Sequence, residues 1–349
     1  MIVSWLVLLF ILPFIGIRFH FNDMDGFMDV DQTTSMKGFF AALIFLSHVH
    51  AYLTIAPDSV DSVFSVIIGG IGQLMVTMYF FYSGYGVFES FKTKPGYDRS
   101  FFRNRFLKTL LHFDMAVALY AVLDLILGTG YPGVNYILCW VGWESLGNSN
   151  WFIFVILVLY FISFLSFRFT SGMEGNRRRL VVVLINVGLS LVVFFLLRLS
   201  EKQDFWYNTL LCYPFGIIFS CFKDDICRIL KKGQVFYPLF AVVLAVFVLL
   251  HRSEGVVLYN ICSCCFCLLT VMVTMKVKIS NRLLIWLGKY SFSIYILQRI
   301  PMMILDKAGV SDNMLFILIS LTMTICLSAG FERIVRAVDR RLFRRNVAL

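Results

Sequence analysis

Lys37 and His48 stand eleven residues apart in "SMKGFFAALIFLSHVH" (residues 35–50), a stretch that is otherwise largely apolar. At 100° per residue the two side chains point within about 20° of each other, about 16 Å apart along the axis. One helix face therefore carries an ammonium at its mouth and an imidazole deeper in. An imidazole is suited to general acid–base or nucleophilic work near neutral pH. Spacing alone leaves a plainer reading open, in which His48 hydrogen-bonds a neighbouring helix and Lys37 marks an interface. His50 lies about 200° from His48 and reads as a polar core residue in need of a partner.

A second polar stripe follows in "RNRFLKTLLHFD". Arg105, Lys108 and His112 fall at i, i+3 and i+7, on one helical face. Such a stripe can grip phosphates, with Arg as a planar fork and Lys as a point charge. Ordinary basic flanking of a membrane helix accounts for Arg105 and Lys108 equally well. Asp114 falls on the opposite side of that helix from Arg105 and reads as structural. In "YFFYSGYGVFES" (residues 79–90), Ser83 and Tyr85 are candidate cavity groups, although small residues such as Ser83 and Gly84 also serve helix packing. In "LGKYSFSIYILQRIP" (residues 287–301), Ser291, Tyr295 and Gln298 share one face, with Arg299 close by, and read as a cavity lining. Trp151, opening "WFIFVILVLYF", suits an aromatic belt at a membrane interface. "CSCCFC" (residues 262–267) lacks a CxxC pair and a nearby histidine, so its cysteines read as small apolar residues rather than metal ligands. The acidic loop "NDMDGFMDVD" (residues 22–31) lacks the spacing and terminal Glu of a calcium loop.

The elements that must position these groups are membrane helices. The chain has 349 residues, of which 59% are hydrophobic and 15% charged, and its mean hydropathy is +0.82. Apolar windows of roughly 18–20 residues recur throughout, each long enough to cross about 30 Å of hydrocarbon. Spanning segments must satisfy their own backbone, so an all-α integral membrane protein is expected. We read spans near 2–17, 38–56, 64–90, 106–127, 150–167, 180–198, 205–222, 235–251, 256–275, 284–304 and 314–335. These make a ten-helix core bundle plus one extra N-terminal hydrophobic helix. Residues 1–17 lack a basic n-region and a small-residue cleavage site, so an uncleaved span fits better than a signal peptide. An interfacial or re-entrant segment is the alternative.

The connections alternate in charge. Of the 31 Lys and Arg residues, all but Arg198, Lys202, Arg252, Arg299 and Lys307 fall on one side. The positive-inside rule places that side, and the C-terminus, in the cytoplasm. The net charge of +10 is thereby explained by orientation, and nucleic acid is not an expected partner. The chain divides into residues 1–35, a hydrophobic helix and acidic cytoplasmic loop; 36–335, the transmembrane domain; and 336–349, a basic cytoplasmic tail.

In this order the pieces resemble the membrane acyltransferase-3 family, polytopic bacterial enzymes that acylate cell-envelope glycans. That family begins a core helix with a basic residue and glycine, followed after ten residues by histidine, here Lys37, Gly38 and His48. "FFYSGYGVF" (residues 80–88), Arg105 with Lys108, Trp151 with Phe152, and "LGKYSFSIY" (residues 287–295) match its later landmarks. Lys108 stands where a second Arg is usual, Gln298 where many members have His, and the extra N-terminal segment lies outside the common core. The resemblance implies a multi-pass protein of the bacterial cytoplasmic membrane. Its donor would be an acyl-CoA, acetyl-CoA above all, entering from the cytoplasm, and no bound cofactor or metal is expected. Lys37, Arg105, Lys108 and His112 would hold the donor's phosphates, and His48 would be general base or acyl carrier. The acceptor would be a hydroxyl of a sugar or lipid-linked glycan. A transporter or flippase of envelope lipids or glycans is the alternative that the same cavity and basic mouth would serve.

Overall fold

A computed structural model describes residues 2–19, 26–253 and 255–343 of the chain. Residues 22–25 of the acidic loop and 344–349 of the basic tail lie outside the described residues. The fold is almost entirely helical. In chain order the helices are α1 (Val3–Ile11), α2 (Val30–His50), α3 (Ser62–Ile71), α4 (Leu74–Thr93), α5 (Tyr97–Phe101), α6 (Lys108–Leu127), α7 (Gly133–Leu138) and α8 (Trp151–Phe169). They continue with α9 (Gly175–Leu199), α10 (Cys212–Cys221), α11 (Lys223–Leu230), α12 (Gly233–Leu250), α13 (Val256–Lys276), α14 (Arg282–Leu297), α15 (Arg299–Lys307) and α16 (Asn313–Leu342).

The all-α membrane reading stands, but the expected ten core spans plus one do not. Among the described residues, seven helices are long and apolar enough to cross a membrane: Ser62–Thr93, Tyr97–Leu127, Trp151–Phe169, Gly175–Leu199, Gly233–Leu250, Val256–Lys276 and Asn313–Leu342. The four remaining segments fail for identifiable reasons. The N-terminal apolar helix, Val3–Phe14, spans only about 18 Å at 1.5 Å per residue. Helix α10 is 10 residues long. Helix α2 opens on "VDQTTSMK", too polar for a lipid-facing segment. The expected span 284–304 is interrupted at Gln298 between α14 and α15, because Pro301 has no N–H for the Leu297 carbonyl.

Three of these shorter or more polar helices, α2, α10 and α14, form the tightest crossings of the bundle. Gly38 of α2 lies against the Leu284 and Gly288 backbone of α14, and Gly288 lies against the Thr34 carbonyl. A Cβ at either glycine would enter the van der Waals surface of the opposing backbone. The pattern repeats where Gly84 of α4 meets the Tyr213 carbonyl and Gly216 of α10 meets the Phe81 carbonyl. Lipid is as apolar as a side chain, so close backbone approach supplies the packing energy that water exclusion supplies in soluble proteins. Helix α2 is thus locked to α14, and α4 to α10.

The start of α2 is fastened separately. The strand pair β1 (Arg18–Phe19) and β2 (Val277–Lys278) is antiparallel, and buried Gln32 clamps beside it. Its amide donates to the Val277 carbonyl at 3.3 Å and accepts from the Ile279 N–H at 2.8 Å. Between α5 and α6 the chain makes a π-helical turn over Phe102–Leu107, so Tyr97–Leu127 is one helix with a local change of phase.

Candidate active site

His48 sits in the last turn of α2 and lines a cavity of about 640 Å³. The cavity is closed by segments from the weakly basic face, including Trp143, Asn148 and Asn150, Lys202 and Trp206, and by Arg299 at the start of α15. His48 Nδ1 is 2.8 Å from Gln298 Nε2, and Gln298 is fully buried. The same Gln298 amide nitrogen donates to the Tyr295 carbonyl at 3.3 Å, whereas Gln298 Oε1 is buried without a partner among the described residues. With Nδ1 occupied by Gln298, Nε2 is the ring nitrogen free to meet a substrate. A donating amide at Nδ1 leaves the proton on Nε2. For Nε2 to act as a base, the amide turns over and presents Oε1 to an Nδ1–H.

A second cavity, of about 700 Å³, opens at the other end of α2, on the strongly basic face. Lys37, Arg105, Lys94 and Lys223 line it, with Tyr79, Ser83 and Tyr85. The Tyr79 hydroxyl donates to the Lys37 carbonyl, and the Ser83 and Tyr160 hydroxyls are 2.7 Å apart. Arg105 projects from the π turn and is exposed to this cavity. Lys223, on α11 outside the spanning helices, lies 5.7 Å from the centre of the Tyr85 ring. Burial works against its charge, but the Tyr85 hydroxyl and the Glu89 carboxylate outweigh that and raise its pKa above the ordinary lysine value.

Between the two lies a neck of about 60 Å³. It shares Ile44 and Val76 with the His48 cavity, and Tyr79, Phe152 and Phe292 with the basic one. Ser291 and Tyr295 complete its wall. The face of α2 from Lys37 to His48 thus runs from one cavity, past the neck, into the other. Of the α14 polar stripe, Ser291 and Tyr295 line the neck and Gln298 holds His48.

The second stripe is divided. Lys108 Nζ lies 2.6 Å from one Asp339 oxygen and His112 Nε2 2.9 Å from the other. These two fasten α6 to α16, while Arg105 alone faces the basic cavity. The π turn supplies the physical reason: its wider turn places Arg105 out of the phase that 3.6-residue spacing assigns. His50 finds its partner in Ser65, with Nε2 2.9 Å from the hydroxyl. Trp151 packs against Phe80, Phe152 and Phe205 while lining the His48 cavity. Asp114 keeps a buried carboxylate oxygen without a hydrogen bond among the described residues.

Several lining residues have no counterpart in the sequence reading. Tyr79 carries a signal, since Tyr79, Ser83 and Gly86 recur at i, i+4 and i+7. Trp143, Lys202, Trp206 and Lys223 come from distant segments with no common spacing. The described cysteines are all free, and no group of three or more His, Cys, Asp or Glu side chains suited to a metal occurs among the described residues.

The acyltransferase domain family matches residues 29–333 of the chain. That interval begins just before α2 and ends within α16, so it contains the neck and every residue lining the two cavities except Met28. No curated protein and no solved structure matches the chain.

Proposed function

We propose, for a chain that belongs to the polytopic bacterial family of membrane acyltransferases, that it transfers an acyl group, acetyl from acetyl-CoA, to a hydroxyl of a cell-envelope glycan or lipid-linked saccharide. The observation that carries this reading is the line of two cavities and a neck along the Lys37–His48 face of α2. The protein sits in the bacterial cytoplasmic membrane with its basic face, and its C-terminus, toward the cytoplasm. That orientation presents the basic cavity to cytoplasmic acyl-CoA and the His48 cavity to the acceptor.

Lys37 and Arg105 grip the donor phosphates, Arg as a fork and Lys as a point charge. Lys223 adds positive charge at the same mouth. Lys108 and His112 are engaged by Asp339, and we assign them to holding α6 against α16. The pantetheine arm threads the neck past Tyr79, Phe152, Ser291 and Tyr295, bringing the thioester to His48. Free Nε2 of His48 takes the acceptor hydroxyl proton as the hydroxyl oxygen attacks the thioester carbon. The carbon–sulfur bond breaks, the thiolate leaves and takes up that proton, and the ester remains on the acceptor. In the acyl-carrier variant Nε2 itself attacks first and the acceptor then displaces it. Gln298 orients the ring in both.

The test is transfer of labelled acetyl from acetyl-CoA in membranes bearing the wild type or His48→Ala. Loss of a general base predicts a fall of about 10²- to 10⁴-fold, and equal labelling overturns the assignment. Cavities at opposite ends of α2 also favour one other reading, a transporter of envelope lipids or glycans. That reading predicts transport that survives His48→Ala and needs no acyl-CoA.

A further inference from the structure

We infer that Arg299 is an anion-binding residue of the His48 cavity, and that the saccharide acceptor carries a carboxylate or phosphate that it holds. The inference rests on the acceptor reading above and narrows it to anionic saccharides. Four charged side chains line this cavity: Glu144, Glu201, Lys202 and Arg299. Lys202 is already satisfied. Its ammonium lies 3.2 Å from Glu144 Oε1 and 3.1 Å from the Trp143 carbonyl. It also sits over the Trp143 and Trp206 rings, at 4.1 and 4.7 Å from their centres. Glu201 is exposed and makes no ion pair among the described residues.

Arg299 is different. Its one side-chain hydrogen bond among the described residues is a long contact, 3.5 Å from a terminal nitrogen to the Gly147 carbonyl. Among the described residues its Nε is buried with no partner, and no carboxylate lies within ion-pair distance. Arg299 acts electrostatically on His48 and on the phenols of Tyr52, Tyr120, Tyr131 and Tyr295, none of which is a carboxylate; Asp306 and Asp124 act on Tyr52 and Tyr131 as well but neither pairs with Arg299. The Nε has lost water without gaining a partner, and the rest of the fork lines the cavity, an arrangement that is costly unless a ligand supplies the missing acceptor. Its five-donor planar fork matches a carboxylate or phosphate.

The rest of the lining says what bears that anion. Trp151, whose ring Lys202 does not cover, offers a flat apolar face, and Asn148, Asn150 and Gln203 offer amide donors and acceptors. A flat face and amides suit the ring and hydroxyls of a sugar, and Arg299 suits an acidic substituent on it. Because Arg299 follows Gln298 directly, that substituent is fixed relative to the imidazole that Gln298 orients. A neutral sugar would leave the guanidinium unpaired.

Purified full-length protein is titrated with methyl β-glucuronide, glucose 6-phosphate and methyl β-glucoside, reading melting temperature and inhibition of acetyl transfer to the native acceptor in membranes. The expected result is that one or both anionic probes bind the wild type and the neutral glycoside binds more weakly. Arg299→Gln is expected to weaken the anionic probe by about 10- to 100-fold, the worth of a charge-assisted hydrogen bond, and to raise KM for the native acceptor with little change in kcat. Arg299→Lys, which keeps the charge and guards against misfolding, is expected to fall between. Mass spectrometry of the labelled product should place the acetyl on, or next to, an acidic sugar. A neutral acylated saccharide, equal binding of all three probes, or an Arg299→Gln effect confined to kcat would overturn the inference. Absence of any acetyl transfer by the wild type would overturn the proposed reaction instead, and the binding titrations would still decide the fate of Arg299.

Discussion

Gln298 is the point at which the proposed chemistry is most exposed to test. It is fully buried, it holds His48 Nδ1 at 2.8 Å, and nothing else hydrogen-bonds that nitrogen among the described residues. Gln298→Leu conserves volume and removes the contact. The loss has two parts: a net hydrogen bond of about 1 kcal/mol, and an imidazole nitrogen left buried and unpaired at about 1–3 kcal/mol. If the ring's orientation is set by that bond, the cost falls on the reactive geometry, and about 1.36 kcal/mol corresponds to each tenfold in rate. Acetyl transfer is therefore expected to drop about 10- to 100-fold in kcat, with KM for acetyl-CoA unchanged. Gln298→Glu separates orientation from mere packing. A carboxylate accepts an Nδ1–H without turning over, and the Arg299 guanidinium one residue away offsets its burial. It should retain more activity than Gln298→Leu. Initial rates in membranes, with melting temperatures of the purified variants, give the answer. If Gln298→Leu transfers acetyl at more than half the wild-type rate while melting normally, Gln298 does not position the catalytic ring.

The remaining predictions concern the frame and the basic mouth. Gly38→Ala and Gly288→Ala each force a Cβ into opposing backbone and should destabilise by about 1–3 kcal/mol, whereas Gly188→Ala in α9, with open space around it, should be neutral or slightly stabilising; detergent melting curves measure all three. Lys37→Met and Arg105→Met should each raise KM for acetyl-CoA about tenfold or more, with a weaker salt dependence than the wild type. Lys108→Met should leave that KM within about twofold of wild type and instead lower the melting temperature, since its partner is Asp339; a rise in KM equal to that of Arg105→Met would return Lys108 to the phosphate site.

Much of the site was legible because helical phase is rigid. Eleven residues place Lys37 and His48 on one face wherever α2 packs, and the spacing of Ser291, Tyr295 and Gln298 likewise survives folding. Ser83 and Gly84 could be seen as a packing signal, though their partner could not, because it lies in another segment; Gly38 and Gly288 stood out only as landmarks of the family resemblance. The phase argument failed where the helix stopped being regular. The π turn around Arg105 leaves no periodic trace, and Asp339, which claims Lys108 and His112, is more than two hundred residues away. The span count failed for a related reason. Hydropathy rewards uniform apolar length, and α2, α10 and α14 trade that length for the polar groups and tight glycine crossings that build the site. The loops that wall the His48 cavity have no period at all, so the tryptophans and Lys202 became visible only once the helices had brought them together.

The neck has a bearing on the host cell that concerns neither binding nor catalysis. Either cavity alone is large enough to hold many waters, and joined they would form a wet passage between the two faces of the protein. A volume of about 60 Å³ lined chiefly by aromatic and branched side chains admits only a few waters at most, and an ion crossing there would have to shed its hydration almost completely. The constriction is therefore an insulator, and under the proposed reaction it would also be the gate for the acyl arm. Were the protein to sit in an energised membrane, as proposed above, that membrane would not be short-circuited by it, and substitutions that shrink Phe152, Phe292 or Val76 would carry a cost in leak conductance that an acyltransferase assay would never register.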